Sequence, residues 1–146
     1  VENSSTTDWR EGMIEISIES RKKLNSNTEF AAQWAIAKLM PKIRRLKVNI
    51  IVKPLDKGLY GYCSRNLNRD YTIVLSSRLT QKQLFETLFH EMVHVRQFMR
   101  KTLRNEYGLW IWKDRINKEK YENQPWEIEA CSYEKPMYKE FKEYLK

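Results

Sequence analysis

The 146-residue chain has two histidines, and both lie in one pentapeptide, His90-Glu91-Met92-Val93-His94. Four residues turn an α-helix through about 400°, so on a helix both imidazoles leave one face, about 40° apart. At that spacing two imidazoles reach one zinc ion, and the carboxylate of Glu91 can take a proton from a water on the metal. Shuffled chains of this composition show H-E-x-x-H roughly once in 700 trials, too seldom to dismiss the pattern as chance. The plain alternative is two surface histidines on an amphipathic helix, and the flanking sequence argues against it.

A catalytic zinc takes three protein ligands and leaves a fourth position open. No third histidine exists, so a carboxylate must complete the set. Pro125-Trp126-Glu127-Ile128-Glu129-Ala130-Cys131-Ser132 offers two, at 33 and 35 residues beyond His94. Two positions on a helix are rotated by about 200°, so Glu127 and Glu129 cannot share a face. Trp126, Ala130, Tyr133 and Met137 recur at helical spacing and mark an inward face that Glu129 borders, while Glu127 points away beside Glu134 and Tyr138. Ile128 and Cys131 form a second apolar patch that would bring Glu127 inward instead. Glu129 is the preferred third ligand and Glu127 the alternative. Hydrolysis also needs a donor for the developing oxyanion. Tyr133, one turn past Glu129, is the candidate, with Tyr107 and Tyr121 as others; a packed aromatic is the plain reading of each.

These residues need elements to hold them. Thr80-Gln81-Lys82-Gln83 reads as a capping box, and Leu84, Leu88, Met92 or Val95, and Met99 continue with helical spacing to about Leu103. Phe85 and Phe89 add core contacts. Residues 28–40 read as another helix, with Thr28 as its N-cap, a stripe of Phe30, Trp34, Ala37 and Leu39 or Met40, and Pro41 as its limit. Residues 13–19 alternate as a strand, although Ile14 and Ile18 also suit a helix. Residues 46–53, 59–63 and 71–76 read as strands, the last two joined in a hairpin by the turn 64–70. Residues 105–120 are a basic, aromatic insert whose stretch 108–112 suits a strand, either a flap bordering the cleft or a hydrophobic cover. Pro125 fits the first turn of a last helix, with a break or kink near Pro136.

Composition sets the frame. With 41% hydrophobic and 32% charged residues and only 4 Gly and 4 Pro, the chain matches a soluble globular protein without long linkers. The expected organisation is a disordered segment 1–7 and a single domain over 8–146. No 18-residue apolar run and no signal-peptide pattern is seen, so the expectation is a soluble, cytoplasmic protein that does not engage membranes. Cys63 and Cys131 belong to no C-x-x-C pair, which makes them poor zinc ligands and better reduced thiols. Residues 41–120 carry 18 basic and 7 acidic groups, a net +11, whereas the flanking segments are slightly acidic. Such a field favours an anionic partner, and Arg96, Arg100 and Arg104, four residues apart, form the stripe through which nucleic acid would bind.

A capped helix carrying H-E-x-x-H behind a strand, followed by a later helix with Glu-Ala, resembles the minimal gluzincins, small zinc metallopeptidases with a thermolysin-type core. Glu129-Ala130-Cys131-Ser132 resembles their Glu-Ala-x-Ser stretch around the third ligand, which selects the same residue. Size, basic charge and the Met-Val after His90-Glu91 are also similar to SprT-like proteases, which act on DNA-bound proteins; the absence of a third histidine departs from that group and from the metzincins. The resemblance covers residues 71–133. It implies an α+β zincin-like fold: a small, mostly antiparallel sheet with a backing helix, an active-site helix, and a C-terminal helix bearing the carboxylate. It also implies a Zn2+-dependent endopeptidase with Glu91 as base, acting on peptide or protein substrates that extend the sheet edge, with residues 71–76 as the candidate strand. Two rival classes remain beside it: a basic nucleic-acid-associated protein, and a regulatory protein that keeps the fold with little turnover.

Overall fold

The computed structural model describes residues 5–9 and 12–146. Two strands, β1 (Ser5–Trp9) and β2 (Gly12–Ser20), lead into helix α1 (Thr28–Leu39) and strand β3 (Arg45–Lys53). Strands β4 (Gly61–Leu67) and β5 (Asp70–Ser76) precede α2 (Gln81–Met99). Three short strands follow, β6 (Leu103–Glu106), β7 (Leu109–Trp112) and β8 (Arg115–Ile116), then α3 (Pro125–Tyr144). Of the segment expected to be disordered, residues 1–4 lie outside the described residues and Ser5, Thr6 and Thr7 pair with Ile16, Glu15 and Ile14. No helix among the described residues is long and apolar enough to cross a membrane.

The fold is α+β, but the main sheet is mixed rather than mostly antiparallel. Its order is β1-β2-β3-β5-β4, with β2, β3 and β5 mutually parallel and the two outer strands antiparallel to their neighbours. The cause lies in the connections. The crossover through α1 returns the chain to run β3 parallel to β2, as parallel neighbours require. The β4–β5 hairpin then inserts β5 next to β3 and leaves β4 at the edge. The unbroken apolar run Ile73-Val74-Leu75, buried throughout, is the signature of an interior strand. Residues 71–76 are therefore not an edge; the edges of this sheet are β1 and β4.

Alternation puts Ile16 and Ile18 of β2, Val48, Ile50 and Val52 of β3, and Tyr71, Ile73 and Leu75 of β5 on one face. α1 and α2 pack there, and one hydrophobic cluster runs from Ile16 to Phe141. The opposite face carries Ile51 and the buried Val74 among polar residues; there the Ser17 hydroxyl donates to Asn49 Oδ1 at 2.6 Å. α1 begins after Asn27, and its buried side is Ala31, Ala32, Ala35, Ile36 and Leu39; of the expected stripe, Leu39 and Met40 are buried while Ala37 is exposed. Small alanines let the helix sit close to the sheet. Phe30 and Trp34 turn instead toward α3, meeting Phe141 at ring distances of 6.0 and 5.2 Å. α3 runs unbroken through Pro136: the lost partner of the Ser132 carbonyl lies on the exposed side, where water can replace it.

Candidate metal centre

α2 begins as its sequence requires. The Thr80 side chain accepts from the Gln83 N–H at 3.2 Å, and Gln83 Oε1 accepts from the Thr80 N–H at 3.0 Å. The helix that follows buries Leu84, Leu88, Met92 and Val95 against the sheet. That facing turns His90, Glu91 and His94 toward the space between β4 and α3, where all three are buried. Gly61 allows β4 to approach α2 so closely: a Cβ there would lie 2.7 Å from the Val74 carbonyl oxygen and 2.9 Å from Thr87 Cγ2.

The carboxylate of α3 that meets both imidazoles is Glu127. His90 Nε2 lies 3.0 Å from Glu127 Oε1, and His94 Nε2 lies 3.1 Å from Oε2. Glu129 is on the other flank of α3, 3.0 Å from Gln97 Nε2 and 3.9 Å from the Arg96 guanidinium. The expected inward face holds, with Trp126, Ala130 and Met137 buried; what fails is the placing of Glu127 away from it, since Glu127 borders that face on the side of the two imidazoles. Glu134 and Tyr138, taken from sequence as the outward side of the helix, face α2: Glu134 Oε2 is 2.6 Å from His90 Nδ1, and Tyr138 stacks on Phe85 at 6.3 Å. The Ile128 and Cys131 patch, which had favoured Glu127, is exposed.

The outer nitrogen of each imidazole is also engaged. His90 Nδ1 meets Glu134, and His94 Nδ1 meets Gln97 Oε1 at 2.8 Å. Gln97 is 1% exposed, and its amide nitrogen donates to the Trp126 carbonyl at 3.1 Å as well as to Glu129. Neither Glu134 nor Gln97 was singled out from sequence. Gln97 stands one turn after His94 and Glu134 two turns after Glu127, so helical spacing was the signal that could have found them.

The charges couple strongly. Burial disfavours a charge on His90, but the hydrogen bonds to Glu127 and Glu134 outweigh it and carry its pKa up to about 10. Burial likewise opposes the raised pKa of His94, overcome first by Glu127. Against its own burial, Glu127 is held down at about 2 by the two histidines. Glu91, 5% exposed, goes the other way: burial lifts it to about 7, only partly offset by the neighbouring imidazoles. A carboxyl group tuned to neutrality beside two imidazoles is suited to moving a proton.

Among the described residues, donor atoms of His90, His94 and Glu127 lie within 4.8 Å of one another, a group able to hold a metal ion. A second such group, His90, Cys131 and Glu134, shares His90 through its other ring nitrogen. The first opens into a cleft of about 380 Å³ lined by Gly61 and Cys63 of β4, Trp110 of β7, Tyr121 and Trp126. Burial, with Glu91 nearby, pushes the Cys63 thiol well up, so it faces the cleft uncharged. The insert is both flap and cover: Trp110 lines the cleft while packing on Phe98 and Trp126 at 6.3 and 5.8 Å.

Two other expectations are corrected. Tyr133 does not reach the cleft, since its ring lies beneath the Arg96 guanidinium at 4.8 Å. Tyr107 projects from a hairpin tip and is fully exposed. Of the three tyrosines considered from sequence, Tyr121 is the one at the site, its hydroxyl 3.5 Å from Glu127 Oε1 and its pKa lifted to about 12 by burial and then by Glu127; Tyr62 of β4 lines the same cleft. The arginine stripe also breaks up, because α2 ends at Met99 rather than near Leu103. Arg96 packs on Tyr133, Arg100 is the C-cap, and Arg104 on β6 pairs with Glu106 and Asp114 at 3.1 and 2.8 Å.

Comparison with family models, with curated proteins and with solved structures finds no match for this chain.

Proposed function

We propose that the chain is a zinc-dependent metalloendopeptidase of the gluzincin type, with His90, His94 and Glu127 as metal ligands and Glu91 as the base. The observation that carries this reading is the convergence of both Nε2 atoms on the two oxygens of one carboxylate, at 3.0 and 3.1 Å. Two imidazoles and a carboxylate suit zinc, and the cleft beyond them leaves room for the open position of a catalytic centre. Bound there, zinc would supply Lewis acidity, acidifying water and polarising a carbonyl.

The remaining chemistry belongs to the chain. Glu91, buried beside the two imidazoles, takes up the proton of the attacking water and returns it to the leaving amine. Tyr121 keeps its hydroxyl proton at neutral pH and can donate to the carbonyl oxygen as charge develops there. A peptide extended along β4 adds to the sheet by backbone hydrogen bonds, which places its carbonyls over Gly61 and Cys63 at the mouth of the cleft. Trp110 and Trp126 then offer an apolar wall for a side chain.

The test is metal content together with hydrolysis of a denatured protein substrate. Wild-type chain should take up one zinc and cleave the substrate. Glu91→Gln should keep zinc and lose about 10²- to 10⁴-fold in rate, because glutamine keeps the volume but cannot accept the proton. Cleavage by Glu91→Gln at the wild-type rate rules out Glu91 as base, and a wild-type chain that takes up no zinc removes the reading.

A further inference from the structure

Resting on the metal reading above, we infer that Gln97 and Glu129 form a positioning relay that turns His94 Nε2, and not its proton, toward the metal. The Trp126 carbonyl and the Glu129 carboxylate can only accept, and both lie on one end of the Gln97 amide, at 3.1 and 3.0 Å. That end is therefore the NH2 group. The opposite end, Oε1, must then be the atom 2.8 Å from His94 Nδ1, and a carbonyl oxygen there requires Nδ1 to carry the hydrogen. In a neutral ring the lone pair is left on Nε2, the atom facing Glu127 at 3.1 Å.

Were the amide reversed, its NH2 would point at His94, draw the lone pair to Nδ1 and put a proton where the metal binds. Reversal would also set the amide oxygen against a carbonyl and a carboxylate inside the protein, because Gln97 is 1% exposed. Glu129 thus acts at a distance: it holds the amide, the amide holds the ring. This accounts for two acidic residues on either side of Ile128 in α3, one toward the metal cleft and one toward the glutamine behind the ligand. Outer partners of this kind set ring orientation and tautomer and tune affinity.

Zinc affinity by chelator competition at one pH, the visible spectrum of the Co2+-loaded chain, and the 1H–15N signal of the His94 Nδ1–H together test the relay. Gln97→Met keeps the volume and removes the hydrogen bonds. It should weaken zinc about 10- to 100-fold, leave the saturated Co2+ spectrum unchanged and abolish the slow exchange of the Nδ1–H. Glu129→Met should do the same to a smaller degree, and Glu129→Gln, which keeps an acceptor, should restore most of the affinity. Wild-type affinity in Gln97→Met overturns the relay, as does a Glu129→Gln chain no tighter than Glu129→Met. A Co2+ spectrum altered by Glu129→Met but not by Glu127→Met would make Glu129 a ligand, overturning the relay while sparing the metal reading. A wild-type chain that binds neither Zn2+ nor Co2+ overturns both.

Discussion

Helix α2 carries His90, Glu91 and His94 within five consecutive residues, whereas α3 brings Glu127 across a gap of 33 residues in a phase its own sequence leaves balanced. On α2 the helical period alone places both imidazoles on one face, so the local pattern and the site geometry are the same fact. On α3 the inward side is decided by contacts outside the helix. Phe141 sits among Phe30, Trp34, Phe85 and Phe89 at ring distances of 5.2 to 6.0 Å, and Tyr138 lies on Phe85. Those contacts rotate Glu127 and Glu134 toward α2 and leave Glu129 for Gln97. A motif within one helix is read from spacing, while its partner on a second helix is read only once the packing of that helix is known.

The largest expected effect tests the rotation itself. Glu127→Ala should abolish stoichiometric zinc binding, whereas Glu129→Ala should weaken it without abolishing it. Equilibrium dialysis of both variants against zinc measures this, and loss confined to Glu129→Ala would reverse the assignment. Next in size is the aromatic anchor. Phe141→Ala removes a fully buried ring from the junction of α1, α2 and α3 and should cost about 3–5 kcal/mol of stability in denaturant unfolding. If the phase of α3 depends on that junction, zinc affinity falls along with stability. A variant equally destabilised in the sheet, such as Ile50→Ala, should hold zinc more tightly than Phe141→Ala under folding conditions. Equal affinities would detach the anchor from the site.

How much was legible follows the same division. The H-E-x-x-H pair, the Thr80–Gln83 cap and the strands over β3 and β5 stand in the sequence because each is written in neighbouring residues. The strand order was not: whether β5 lies inside the sheet or at its edge depends on where the β4–β5 hairpin docks, although the run Ile73-Val74-Leu75 hinted at an interior place. Tyr133 looked suitable because one helical turn separates it from Glu129, but that turn belongs to the flank facing Arg96. The spacing of Arg96, Arg100 and Arg104 promised a stripe only while the helix was carried to Leu103. Its end at Met99 sends Arg104 into β6.

The charged cluster gives a third contrast, in pH. In chelator-treated protein, His90 has a pKa raised from 6.5 to about 10, so its contribution to stability is full below pH 6.5 and is lost as pH rises through 10. Glu127, lowered from 4.5 to about 2, contributes fully above pH 4.5 and loses this as pH falls through 2. Glu91, raised to about 7, works against both, its cost building between pH 4.5 and 7. Between pH 7 and about 9 the slope therefore belongs to the histidines, and above that the raised thiols of Cys63 and Cys131 add to the fall. Glu127→Gln, which leaves them a weaker partner, should flatten the fall in melting temperature between pH 7 and 10. Zinc should reverse the trend, since binding displaces the ring protons and tightens as pH rises. An alkaline limb identical in wild type and Glu127→Gln would detach Glu127 from the histidines.

The smallest effect probes the local half of the comparison. Thr80 caps α2 ten residues before His90 and touches nothing in the cleft; its side chain accepts from the Gln83 N–H, and Gln83 answers at the Thr80 N–H. Thr80→Ala leaves the first-turn N–H to water and frees Gln83, a loss of about 1 kcal/mol. For a chain of this size that lowers the melting temperature by roughly 2–4 °C. The first turn frays, but Leu84, Phe85, Leu88 and Phe89 still hold the helix to the core between the cap and the motif. His90 and His94 keep their facing, so zinc affinity should stay at the wild-type value, and Thr80→Ser should recover the lost stability. A Thr80→Ala chain that loses zinc affinity along with its 2–4 °C would show that the α2 half of the site also depends on more than the spacing of its own residues.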